Sequence, residues 1–184
     1  MKHVFPKDAR VLAVDPYYQG FSFAVLEGAS SLIAWGMRKA TEDKNARCLR
    51  EIDKLMARYR PEVVALEDYA SRRSHRSERV EELIAGIKAL AAENGVPTRH
   101  FSRAEVREAF APLGARTKDQ IAAATAGRFP ELALRLPPPR KFWKPEHYAM
   151  SLFDAMAWAW AFFHFQNPVS KVTLRGHHSG FRGA

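Results

Sequence analysis

The sequence predicts an α/β protein, a mixed five-stranded sheet flanked by helices on both faces. Three observations carry this reading. The chain opens with short apolar runs parted by tight turns, its hydrophobic period then lengthens from two to between three and four, and two further apolar runs alternate with helical stretches.

Residues 10–16 (RVLAVDP) form an apolar run that ends in an acid, and 21–26 and 32–37 follow, the latter two parted by Gly28, Ala29 and Ser30. Three such runs in succession make an antiparallel meander. Over 43–60, Leu49, Ile52, Met56 and Tyr59 recur three or four apart, which predicts an amphipathic helix stopped by Pro61. Residues 62–67 (EVVALE) are apolar enough for a central strand. Ser77 is placed to cap a second helix, with Val80, Leu83, Ile84, Ile87 and Leu90 on one face and Asn94-Gly95 at its end. A short strand over 96–101, helices over 102–110 and 118–127, a Pro-rich loop at 137–139 and a long helix over about 145–165 complete the order. The expected organisation is an N-terminal tail (1–9), one domain (10–166) and a basic C-terminal tail (167–184) that carries Arg175, His177, His178 and Arg182.

A chain of 184 residues with 47% hydrophobic content can bury roughly two thirds of its extended surface as one domain. Lys and Arg exceed Asp and Glu by 29 to 20, a net charge of +9, so a polyanion is the expected partner and nucleic acid the leading one. The lone Cys48 excludes an intramolecular disulfide, reads as a packed thiol and fits a reducing cytoplasm. Residues 1–10 lack the pattern of a signal peptide, and the most apolar stretch, 155–163, is far shorter than the ~20 residues that cross a bilayer, so no membrane partner is expected.

Three acids stand in apolar surroundings. Asp15 ends the first strand, Glu67 ends the fourth, and Asp154 lies in a helix among Leu152, Phe153, Ala155, Met156 and Trp158. An ionised carboxylate there costs several kcal/mol unless a cation or donors compensate it. Divalent metals shared between carboxylates from separate elements would do so, and ions about 4 Å apart suit phosphodiester chemistry. Each acid alone fits a cap or a salt bridge equally well; their joint placement favours the metal.

The run VLAVDPYYQGFSFAVLEG resembles the opening hairpin of RuvC-type Holliday-junction resolvases, VALED their second acidic strand, LGARTKDQIAAA their lysine-bearing helix start, and FDAMAWAWAF their closing acidic, Ala-rich helix. The match holds its order from about Val11 to Phe163. The resemblance implies an RNase H-like fold and a crossover junction endodeoxyribonuclease that cuts branched DNA by a two-metal mechanism. It implies that Asp15, Glu67 and Asp154 bind Mg²⁺, with Mn²⁺ as a substitute, that Lys118 contacts substrate and stabilises phosphate charge, and that the protein is a two-fold homodimer; a branch-migration partner is left open. Two positions depart from the family. Ser151 stands where a further Asp or His precedes the final acid by one turn, and Tyr17-Tyr18 replace a glycine. His147 precedes Asp154 by seven residues on the expected helix, about 10 Å along its axis at 1.5 Å per residue, too far to share an ion. It is read as an auxiliary phosphate or proton-transfer group, or as a plain surface histidine.

For DNA contacts, the segment SRRSHRSER offers Arg72, Arg73 and Arg76, with His75 and Arg79, directly after the Glu67 strand. Arg116 and Lys118 lie at a helix start, where free amides also favour an anion. Arg140, Lys141 and Lys144 precede the Asp154 helix, interleaved with Phe142 and Trp143, which suit base stacking or a core; Trp158 and Trp160 read as core. The helix over 77–94 is the candidate dimer face, although its apolar stripe is equally explained as core. Competing readings are a catalytically silent binding protein for branched DNA, with Ser151 marking a degraded metal site, and an RNase H-like nuclease acting on RNA. A sugar-kinase-like ATPase fragment is disfavoured because the sequence carries no Gly-rich phosphate loop.

Overall fold

Alternating apolar side chains fold the first half of the chain into a sheet whose middle strand carries Asp15. The computed structural model describes residues 5–69, 77–139, 143 and 146–166. Its strands are β1 (Arg10–Tyr17), β2 (Gly20–Glu27), β3 (Ser31–Lys39), β4 (Val63–Glu67) and β5 (Thr98–Phe101). The helices are α1 (Lys44–Tyr59), α2 (Glu78–Glu93), α3 (Arg103–Phe110), α4 (Lys118–Arg128) and α5 (Met150–Gln166). Strand order is β3-β2-β1-β4-β5, with β1, β2 and β3 antiparallel and β4 and β5 parallel to β1. The expected α/β architecture is therefore present, and most boundaries fall within three residues of those read from the sequence.

Period-two alternation divides β1 and β4 between two cores. Leu12, Val14, Val64 and Leu66 face Ile52 of α1 and Leu83 and Ile87 of α2. Val11, Ala13, Val63 and Ala65 face the other way, towards α3, α4 and α5. Trp158 is wholly buried, as expected, whereas Trp160 is half-buried with Arg128 stacked on its ring. Cys48 is buried too. The apolar stripe of α2 (Val80, Leu83, Ile84, Ile87) is covered within the monomer, so the candidate dimer face is a core face.

Three details differ from the expectations. Ser77 holds the N-cap position of α2 but makes no side-chain capping bond, whereas Ser102 and Thr117 form capping boxes with Glu105 and Gln120 at α3 and α4. Short 3-10 turns at Ala111–Leu113 and Pro130–Arg135 were not foreseen, each beginning next to a proline that fixes φ. Helix α5 starts at Met150, not near 145, which leaves His147 in the turn before it. Among the described residues, no helix is long and apolar enough to cross a membrane.

Gly20 returns the chain from β1 to β2 against the backbone of β3. A Cβ there would stand 1.8 Å from the carbonyl oxygen of Arg38. Since a backbone atom cannot step aside as a flexible side chain can, Gly20→Ala is expected to destabilise the protein by about 3 kcal/mol, the upper range for overpacking. A urea midpoint unchanged from wild type would show that the hairpin relaxes freely.

Candidate active site

Asp15 and Glu67 are neighbours because of register. β1 and β4 pair in parallel through Val11↔Val63, Leu12↔Val64 and Ala13↔Ala65. The same offset, continued two residues, sets Asp15 beside Glu67, and alternation turns both towards the face covered by α5. Both lie at the carboxyl ends of parallel strands, where open α/β sheets place their ligands. They are buried, with 2% and 1% exposure. Helix α5 crosses this face, packed on β1, β2 and β4, and brings Asp154 in from above with 6% exposure.

These carboxylates are compensated from within the chain. Arg103, the first residue of α3, reaches both Glu67 and Asp154. Its Nε donates to Glu67 Oε1 at 3.0 Å, Nη2 to Asp154 Oδ2 at 3.0 Å, and Nη1 to Asp154 Oδ1. The guanidinium carbon lies 4.6 Å from the centre of the Trp158 ring, so an aromatic floor and two carboxylates fix its place. Burial opposes the charge of Arg103, but Asp154, then Glu67 and Asp15, outweigh it and raise its pKa further. Among the described residues, no three of His, Cys, Asp and Glu stand close enough together to hold a metal ion. The guanidinium occupies the gap between two of the acids, while the third, Asp15, faces Ser151, whose Oγ lies 2.7 Å from Asp15 Oδ2.

Lys118 joins the same network at the first residue of α4. Its Nζ lies 2.8 Å from Asp154 Oδ2 and pairs also with Glu146. An open cleft of about 200 Å³ is lined by Asp15, Tyr17, Lys118, Glu146, Ser151 and Asp154, with His147 and Tyr148 at its side. His147 thus reaches the cleft from a turn, and the distance drawn along a continuous helix does not apply. The outward-facing Arg107 and Arg116 line a smaller cavity of about 40 Å³ beside Arg103, Lys118 and Asp154.

The structure brings together Asp15, Glu67, Asp154, Lys118 and Ser151, and places Arg116 and His147 nearby. Arg72, Arg73, Arg76 and Lys144 lie outside the described residues. Arg79, grouped with them by its sequence, instead donates to the carbonyls of Tyr17 and Tyr18 and to Asn45, tying α2 to the β1–β2 turn. Trp143 is exposed. Arg103 and Glu146 were missed. The signal for Arg103 was a basic residue at a helix N-terminus, where the macrodipole disfavours a cation unless acids hold it. Glu146 carried no comparable signal.

Burial alone would push the Asp154 carboxyl up, but Arg103 and then Lys118 outweigh it and hold its pKa below the ordinary carboxylate value. Because the folded pKa is the lower one, ionised Asp154 contributes stability above the unfolded value of about 3.9, and that stability is lost as pH falls through the folded value. The urea midpoint should therefore fall on acidification below about pH 4, and fall less in Asp154→Asn. Equal acid sensitivity in both proteins would place the effect elsewhere.

A mixed five-stranded β3-β2-β1-β4-β5 sheet flanked by helices is the arrangement of the RNase H-like fold. Within it, the solved structure of Thermus thermophilus RuvC matches with a TM-score of 0.64 at 21% identity, covering 86% of this chain and 96% of that one. The same protein in complex with Holliday junction substrate matches at 0.62 and 20%, covering 86% and 95%, and the yeast mitochondrial Holliday junction resolvase Ydc2 at 0.58 and 17%, covering 90% and 81%. In sequence, the crossover junction endodeoxyribonuclease RuvC of Saccharopolyspora erythraea is 30% identical over 122 residues. That match spans 61% of this chain and 61% of the length of that relative. No family model matches. The chain is RuvC-like in fold and in sequence, as its motifs led us to expect.

Proposed function

We propose that this protein is a divalent-metal-dependent endonuclease that resolves Holliday junctions. The observation that carries the reading is that Asp15 and Asp154, with Lys118 beside them, line an open cleft of a RuvC-like fold, with buried Glu67 next to Asp15 in register and bridged to Asp154 by Arg103. A solved relative holds a Holliday junction, and the same substrate class is proposed here. Buried carboxylates from three elements offer the all-oxygen donor set that a hard cation such as Mg²⁺ takes, with Mn²⁺ as a substitute. Asp15, Glu67 and Asp154 are the residues that would hold it once the Arg103 guanidinium leaves the gap between Glu67 and Asp154, since as they stand the acids are not close enough together to bind an ion. When bound, it would supply Lewis-acid polarisation of the phosphodiester and activation of water.

The chain's own residues do the rest. Lys118 and Arg116 present positive charge where the scissile phosphate would lie, and the sequence offers Arg72, Arg73, Arg76 and Lys144 as further phosphate contacts. Tyr17 lines the cleft, and the exposed His147 at its side is placed to pass a proton between the cleft and solvent. A two-fold homodimer would cut opposite strands in pairs, leaving 5′-phosphate and 3′-hydroxyl ends.

The test is cleavage of a labelled four-way junction beside linear duplex and an RNA:DNA hybrid, with Mg²⁺ or Mn²⁺. Symmetric nicks in the junction are expected, with the other two substrates left largely intact. Preference for the hybrid would move the substrate to RNA. Tight junction binding without nicks under either metal would instead favour a silent scaffold, the reading that the Ser151–Asp15 contact supports.

A further inference from the structure

The turn between β1 and β2, where Tyr17-Tyr18 replace the family's glycine, presents an aromatic ring that the acidic site does not use. Tyr18 is 69% exposed. With Gln19, Lys39, Ala40, Thr41 and Lys44 it lines an open cleft of about 300 Å³, separate from the cleft of Asp15 and Asp154. The Nζ of Lys44 lies 4.7 Å from the centre of the Tyr18 ring, yet the residue stays mostly in solvent.

This cleft is held from three elements. Arg79 of α2 donates from Nη2 to the carbonyl oxygen of Tyr18 at 2.8 Å and from Nη1 to Asn45 Oδ1 at 2.8 Å. One guanidinium therefore fixes both the tyrosine turn and the start of α1, where Lys44 sits. The amide of Ala40 donates to the carbonyl oxygen of Gln19 at 2.9 Å and ties the end of β3 to the same turn. A surface ordered in this way gives up little freedom when a ligand arrives.

Its chemistry suits one kind of ligand. Among the described residues, Lys39 and Lys44 are the charged groups lining the cleft and no acid does, although Glu42 and Asp43 follow Thr41 on the surface. Ammonium groups take a phosphate, and an exposed ring takes the face of a base. The place is suitable as well. Tyr17 and Tyr148 line the candidate active site, Tyr18 follows Tyr17, and the Nζ of Lys39 lies 5.3 Å from the centre of the Tyr148 ring.

We infer that this cleft holds an unpaired nucleotide of the DNA strand that leaves the active site past Tyr148, its base stacked on Tyr18 and its phosphate on Lys39 and Lys44. A base within a duplex keeps its faces against its neighbours and must be unstacked before it can meet the ring, so the cleft favours strands opened at a branch point over linear duplex. The inference deepens the reading of the protein as a junction nuclease and rests on it for the course of the strand.

The experiment is the binding of a labelled oligothymidylate and of a linear duplex by the full chain without metal, read by fluorescence anisotropy over a range of salt. Arg79 holds Tyr18 through its backbone, so Tyr18→Ala keeps the turn. It is expected to weaken oligothymidylate binding about tenfold, within the range that one stacked base contributes, and to leave duplex binding as it is, while Tyr18→Phe keeps wild-type affinity for both. Lys44→Gln should lower the slope of log affinity against log salt by about 0.7, one phosphate contact on a single strand, whereas Lys54→Gln, the same charge lost elsewhere on α1, should leave the slope unchanged. Tyr18→Ala that binds the single strand as wild type does, or weakens duplex equally, would overturn the inference, as would Tyr18→Phe no better than Tyr18→Ala. Such results beside a wild type that nicks the four-way junction would leave the nuclease reading standing. A wild type that binds neither oligothymidylate nor junction would bring down both.

Discussion

Arg103→Ala is expected to lower the stability of the metal-free protein by about 3–5 kcal/mol, the cost of removing one partner from a buried ion pair. The reason is what remains. Glu67 and Asp154 would each lose their Arg103 contacts while staying buried, and Lys118 would still pair with Asp154. The ring of Trp158 would lose its cover as well. For a protein of this size such a loss is worth roughly 6–20 °C in melting temperature. Added Mg²⁺ should restore more of the midpoint in the variant than it adds to wild type, because an ion that binds only the folded state stabilises it by mass action. A variant that melts with wild type in the absence of metal would show that the two carboxylates find other compensation.

Much of this site was legible in the sequence because strand periodicity is strict. VLAVD and VVALE each put an acid two residues beyond an alanine, so parallel pairing in that register had to set both carboxyls on one face, whatever the rest of the chain did. Asp154 was legible for another reason. A helix that is apolar all round lies in a core, and a lone acid within it must meet a cation. The identity of that cation was not legible. Arg103 is separated from Glu67 by a whole helix and a strand, and only the pairing of β5 beside β4 brings the start of α3 up to the acids.

Helix ends explain both the gains and the errors. Arg103 and Lys118 each occupy the first position of a helix, where the dipole works against a cation, and each is drawn there by Asp154. Ser102 and Thr117 offset part of that cost by closing capping boxes, which fix the direction in which the two side chains leave their helices. The start of α5 was misplaced because Tyr148, Ala149 and Met150 continue an apolar run that sequence alone extends into helix. The chain instead turns there, and the turn carries Glu146 and His147 onto the cleft. A continuous helix would have carried His147 away from the acids.

Asp154→Asn should separate catalysis from binding. The substitution keeps the size of the side chain and an acceptor for Arg103, but removes the charge that draws Arg103 and Lys118 together and that would face a divalent ion. Losing a metal-facing carboxylate removes several kcal/mol of transition-state stabilisation, and at 1.36 kcal/mol per factor of ten the junction-cleavage rate should fall on the order of a thousandfold. Binding should move the other way. The variant is one charge more positive beside the phosphate path, so its Kd for the junction without metal should be equal to or lower than that of wild type, with the same steep dependence on salt. A single-turnover assay read beside a gel-shift titration gives both numbers. A variant that cuts at more than a tenth of the wild-type rate would take Asp154 out of the reaction, and one that loses binding and cleavage together would make the residue a structural support for Arg103.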